Sequence, residues 1–134
     1  MKHIEKTADI LRKLAISLPN VAHARIAAAI LYKNRIVSFG VNSYKSHPFQ
    51  LKYAKNKDSI CIHAENSAIR NFLRVYDEDK LKHAIMVVGR MKKTSSLEWV
   101  DGMSKPCEGC QRALATFGIR KVWYSTDEGN MQCL

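Results

Sequence analysis

His63-Ala64-Glu65 and, further along, Pro106-Cys107-Glu108-Gly109-Cys110 are the two short runs that most restrict how this chain folds. Each opens a stretch of helical spacing. After the first, Ala64, Ala68 and Phe72 recur at intervals of four, joined by Leu73 and Tyr76, so a helix is expected from His63 to Tyr76. After the second, a helix is expected from Cys107 to Phe117, with Gly118 as its C-cap. An imidazole and two thiols are ligands that zinc accepts together. A fold that uses them so must bring the starts of two sequence-distant helices to one point.

The spacing suits that chemistry. Cys107 and Cys110 stand three apart, which on a helix places them on one face, one turn apart. Pro106 precedes the first turn, where its missing N–H costs nothing. The partial positive charge of a helix start favours thiolate, the form that binds metal. With His63 the set is S₂N, and a tetrahedral ion keeps a fourth position for water. Two thiolates neutralise Zn²⁺ and leave it a milder Lewis acid than a three-histidine site. A carboxylate that takes the water's proton makes up the shortfall. Glu65 lies two residues from His63, close enough to reach that water without ligating the ion. Two plainer readings stand beside this one. A zinc-stapled structural domain would need a fourth ligand, for which Cys61 is the nearby candidate; a redox dithiol would leave His63 and Glu65 unexplained.

The remaining elements read as follows. His3 to Leu18 is an amphipathic helix, with Ile4, Ala8, Leu11, Leu14, Ala15 and Leu18 on one face, ended by Pro19-Asn20. Ala24 to Tyr32 is a buried strand. Lys33-Asn34-Arg35 turns the chain, and Ile36 to Val41 returns as an antiparallel partner. Ser43 to Ile62 has no periodicity. Ala84 to Gly89 is an apolar third strand, Arg90 to Lys105 a polar loop around Trp99, Lys121 to Ser125 a fourth strand, and Asn130 to Leu134 a short fifth. The order α-β-β-α-β-α-β-β predicts an α/β fold: a three-layer α/β/α sandwich around a mixed five-stranded sheet.

A chain of 134 residues is expected to form one domain over its whole length, 1–134. The longest apolar run, around Ile26 to Tyr32, is too short to span a membrane, and no signal-peptide pattern follows Met1, so a cytoplasmic protein with no membrane partner is expected. The net charge is +10, and the excess is uneven: residues 1–60 hold eleven Lys/Arg against three Asp/Glu, whereas residues 101–134 hold four of each. That imbalance fits either a phosphate-bearing partner or a solvated basic surface. Between Tyr44 and Lys57 lie Lys45, Lys52, Lys55 and Lys57 with His47, Phe49 and Tyr53 among them, a pattern that could hold phosphate and stack on a base, or simply pack on the core. Arg90, Lys92, Lys93 and Trp99 form a second such group.

An H-x-E followed by P-C-x-x-C is the signature of zinc nucleobase deaminases. From about Ala24 to Ser125 the chain resembles the cytidine/deoxycytidylate deaminase superfamily. The resemblance implies a cytidine deaminase-like fold, one Zn²⁺ per chain on His63, Cys107 and Cys110, and Glu65 as the catalytic proton shuttle. It implies that Asn42, closing the second strand in Gly40-Val41-Asn42, contacts the substrate's sugar, and that the backbone of Ala64 borders the base; a strand-end turn is the plainer role for Asn42. The implied activity is hydrolytic deamination of a cytosine-containing nucleoside or nucleotide, yielding the uracil product and ammonia. Action on cytosine or adenine in single-stranded DNA or RNA is the alternative, and a non-catalytic zinc-stabilised binding domain a third reading. His63 at the first ligand position resembles the nucleotide and polynucleotide enzymes, whereas the strand–turn–strand ending from Val122 to Leu134 resembles the nucleoside branch. A homo-oligomer is implied by the resemblance alone.

Overall fold

The protein is described here by a computed structural model, covering residues 2–17, 24–42 and 63–134. Helix α1 spans Lys2–Ser17, strand β1 Ala24–Tyr32, strand β2 Arg35–Val41 and helix α2 Ala64–Leu73. A 3₁₀ helix spans Glu78–His83. Strands β3 and β4 span Ile85–Lys93 and Trp99–Gly102, helix α3 Glu108–Thr116, and strands β5 and β6 Lys121–Ser125 and Met131–Cys133. The basic and aromatic segment from Tyr44 to Lys57, the Pro19-Asn20 helix stop and Cys61 lie outside the described residues.

The strand order is β2-β1-β3-β5-β6, with β4 also paired to β3. Among the described residues only the β3–β5 pair is parallel; β1–β2, β1–β3, β3–β4 and β5–β6 are antiparallel. Both faces of the sheet are covered, which explains why β1 reads as an unbroken apolar run. Ala27, Ala29 and Leu31 face α1, together with Ile4, Leu11, Ala15, Val87 and Met91. Ala28 and Ile30 face the other way, into a core with Ala68, Ile69, Phe72, Met86, Val88, Leu114 and Val122. Three consecutive alanines in β1 keep both surfaces flat enough for close helix packing. This is the three-layer sandwich the element order predicts.

The sheet has six strands among the described residues, where five were expected. The difference lies in the stretch from Arg90 to Lys105. Strand β3 runs on to Lys93, and β4 pairs back against it from Lys93↔Trp99 to Arg90↔Gly102. The turn between them is closed by Thr94 N–H donating to the Glu98 carbonyl (2.8 Å) and Leu97 N–H to that of Thr94 (2.9 Å). Its strands carry Lys92, Lys93 and Asp101, so the hairpin is held by backbone bonds rather than by a buried face, and no apolar alternation announces it. Between α2 and β3 the chain forms the 3₁₀ helix Glu78–His83 around the buried Leu81.

Smaller features follow the sequence closely. Lys33 and Asn34 adopt φ of 52° and 62° in the β1–β2 turn, the left-handed pair that a two-residue hairpin favours. Gly118, with φ of 80°, follows the Phe117 cap of α3, as expected of a C-terminal glycine. Arg12 ties α1 to the far side of the sheet: Nε donates to Asp101 at 2.6 Å, Nη1 to Asp9 at 2.7 Å, and Nη2 to the Gly129 carbonyl at 3.0 Å. No helix among the described residues is long and apolar enough to cross a membrane.

Candidate active site

The two helix starts meet. His63 is the N-cap of α2 and Cys107 the N-cap of α3, both with extended backbone, so each ligand stands just outside its helix and not within the first turn. Cys110 lies inside α3 and is buried, while Cys107 is exposed. His63 Nδ1 is 3.3 Å from Cys107 Sγ and 3.3 Å from Cys110 Sγ. The three ligand atoms all fall within 4.8 Å of one another. Tetrahedral zinc, with Zn–S near 2.3 Å and Zn–N near 2.0 Å, requires N···S separations of about 3.6 Å, so this donor set fits the ion with small adjustment.

The electrostatics agree with a site made for a cation. Hydrogen bonding from Cys110, aided by His63, brings the Cys107 thiol down to about 3. Cys110 is pushed up, first by its bond to Cys107, then by burial and by Glu65. Two adjacent thiols without a cation cannot both ionise easily; a divalent ion between them removes that conflict. His63 is raised, chiefly through its bond with Cys107.

Glu65, in the first turn of α2, is only 5% exposed. Burial raises its carboxyl above the ordinary carboxylate range, and the neighbouring His63 pulls part of the way back. A water-poor carboxyl that holds its proton more tightly than an exposed one therefore stands beside the three ligands. Ala64, between His63 and Glu65, is fully buried, and its carbonyl faces Gly40 of β2. Asn42 ends β2. Its Oδ1 accepts from Ile26 N–H at 2.9 Å, while its own N–H donates to the Ile26 carbonyl at 3.1 Å. The side chain is thus fixed at the mouth of the β1–β2 pair.

Ser104 and Ser125 were not singled out in the sequence, yet they hold the approach to Cys107. Along one edge β3 exchanges β5 for β4, between Val88↔Tyr124 and Arg90↔Gly102. Two buried hydroxyls bridge that change. Ser104 Oγ donates to the Val88 carbonyl (2.8 Å) and accepts from Ser125 N–H (2.7 Å). Ser125 Oγ donates to the Gly102 carbonyl (2.8 Å) and accepts from Arg90 N–H (3.1 Å). The chain is thereby pinned three residues before Cys107. These partners are sixteen to thirty-five residues apart, so no local spacing marks them.

A family model described as "Cytidine and deoxycytidylate deaminase zinc-binding region" matches residues 1–126. The chain belongs to this family. Among solved structures it is similar to the dCMP deaminase from the cyanophage S-TIM5 in apo form, with a TM-score of 0.56 and 17% identity over 93% of this chain and 81% of that one. The same enzyme in complex with dCMP and dUMP gives 0.54 and 17% over 90% and 76%. Cytidine deaminase from Mycobacterium leprae gives 0.50 and 20% over 93% and 91%. No curated protein matches the chain in sequence. At these identities the structures establish a shared cytidine deaminase fold; the family match is to a deaminase zinc-binding region, and His63, Cys107 and Cys110 form a cluster that could hold the ion.

Proposed function

We propose that this protein is a zinc-dependent hydrolase that deaminates a cytosine-containing nucleoside or nucleotide. The observation that carries the reading is the buried Glu65 carboxyl beside the S₂N cluster. His63 Nδ1, Cys107 Sγ and Cys110 Sγ would hold the ion. When bound, zinc makes a coordinated water acidic enough to ionise near neutral pH. Glu65 takes a proton from the attacking water as its oxygen bonds to C4 of the cytosine ring. The carboxyl passes that proton to the ring nitrogen, then takes the remaining proton from the new C4 hydroxyl and gives it to the amine, so that the C–N bond breaks, C4 becomes a carbonyl and ammonia leaves. Its burial keeps bulk water from competing for those protons. The Ala64 backbone borders the base, and Asn42 meets the sugar. The dCMP and dUMP bound by the S-TIM5 enzyme differ as substrate and product of such a step would, which supports the choice of base.

A polynucleotide substrate is the second reading, favoured by the net charge of +10. A panel of cytidine, deoxycytidine, CMP, dCMP, adenosine, guanine and single-stranded oligonucleotides, followed by the mass of each base, tests both. The expected result is a one-unit mass gain on cytosine in a free nucleoside or nucleotide. Conversion confined to oligonucleotides would establish the second reading. No conversion of any member, with zinc present, would leave only a zinc-stabilised binding domain.

A further inference from the structure

Arg90 stands on the sheet row next to the one that meets the start of α2. Strand parity places it on the helix-covered face of the sheet, in line with Met86 and Val88 of the core beneath α2 and α3. It belongs to a row crossing four strands. Asn42 bonds to Ile26, Ile26 pairs with Arg90, and Arg90 pairs with Gly102. The row behind it is Gly40, Ala28 and Val88, and Gly40 abuts the Ala64 carbonyl in the first turn of α2. The Arg90 row is thus one two-residue step, about 6.6 Å, beyond the helix start that carries His63. That row lies at the carboxyl end of the parallel pair β3 and β5, the end at which α/β sheets bind ligands.

The guanidinium is not consumed by the fold. Its stem lies across Gly102, where a Cβ would come within 3.1 Å of Arg90 Cγ and Cδ, so the glycine is what makes room for it. Nη1 donates to the Met103 carbonyl at a long 3.3 Å. Nε is buried and has no hydrogen-bond partner among the described residues. No carboxylate among them lies within ion-pair distance; Asp101 is held by Arg12, and Asp127, held by Lys92, feels Arg90 only at longer range. A buried donor of this kind, on a cation with a forked geometry, calls for an anion.

We propose that Arg90 is a specificity-determining residue that receives a phosphate attached to the substrate nucleoside, so that the enzyme selects a nucleotide over a free nucleoside. This rests on the deaminase reading above and narrows its substrate class. The phosphate belongs either to a mononucleotide or to the backbone of a single strand, and the same chemistry serves both.

The test compares kcat/KM for dCMP, deoxycytidine and a short single-stranded oligodeoxynucleotide carrying one cytosine, in wild type, Arg90→Gln and Arg90→Lys. Wild type is expected to prefer one phosphate-bearing substrate to deoxycytidine, the preferred one naming the source. Arg90→Gln should reduce that ratio about tenfold or more, through KM and not kcat, and Arg90→Lys should reduce it less, because a point charge replaces the fork. Should the glutamine variant fail to fold, the lysine variant reads the same ratio with the stem still packed on Gly102. A wild type without preference, or variants that leave the ratio unchanged, would overturn the proposal. Calorimetric binding of dUMP against deoxyuridine provides a readout without turnover. Selective, Arg90-dependent binding of dUMP with no ammonia from any cytosine substrate would sink the deaminase reading and leave the Arg90 assignment standing. Equal binding of the two by wild type would sink the Arg90 assignment alone.

Discussion

Glu65→Gln is expected to lower the rate of ammonia release by about 10²–10⁴-fold, the range in which a positioned proton carrier acts, while the protein still binds one zinc. The amide fills the same volume and keeps an acceptor oxygen, so the buried pocket is preserved. What it loses is the ability to take and return a proton. Glu65 also hydrogen-bonds Cys110, a contact the amide can keep. Single-turnover rates with dCMP, alongside zinc content by atomic absorption, separate the two effects. A variant that turns over within a few-fold of wild type would remove Glu65 from the chemistry. One that loses its zinc would recast it as a ligand.

Gly40→Ala is expected to be the most damaging conservative change in the described fold. A Cβ at residue 40 would overlap the Ala64 carbonyl oxygen and the Ala68 amide nitrogen, and would lie 2.8 Å from the Ser67 carbonyl carbon. All three are backbone atoms of α2 or its first turns, so no rotamer change relieves the overlap. The helix has to retreat from β2, and it carries His63 and Glu65 with it. Overpacking of this kind costs about 3 kcal/mol or more. For a chain of this size that corresponds to a fall in Tm of roughly 10 °C or more. The loss should be accompanied by weaker zinc binding, because the Cys107 and Cys110 side of the cluster stays behind on α3. Gly89→Ala is the control: its Cβ would meet only Leu11 Cβ at 3.4 Å, an ordinary contact. Thermal unfolding of both variants, with and without zinc, checks the expectation. Equal midpoints for the two would contradict the close approach of β2 to α2.

The site was legible in the sequence where its residues are local to a helix start. His63, Glu65, Cys107 and Cys110 sit in two short runs, and helical spacing after each run fixes which way the ligands lie. The same holds for β1 and β5, whose apolar residues report burial directly. Legibility fails where long-range backbone pairing supplies the order. The β3–β4 hairpin is polar on its outer positions, so its strands look like a loop, and its existence puts Arg90 in the front row of the sheet instead of at a loop's beginning. Sequence grouped Arg90 with Lys92, Lys93 and Trp99. The structure splits the group, because alternate residues of β3 face opposite sides: Lys92 shares the face of Arg90, whereas Lys93, with Arg25, lies against the Trp99 ring on the α1 side. Ser104 and Ser125 were invisible for a related reason, since their partners lie on other strands. Asn42 was legible as a strand-end residue, and it follows β2 with its side chain and backbone both bonded to Ile26.

The central claim is one open zinc site made from a single imidazole and two thiolates. X-ray absorption at the zinc edge of the purified protein tests it most directly. The account predicts one zinc per chain, with two sulfur neighbours near 2.3 Å and two nitrogen or oxygen neighbours near 2.0 Å, one of the latter exchanged when a nucleotide product is added. A third sulfur in the shell, as Cys61 would supply, or a protein preparation that is folded and active without zinc, would contradict it.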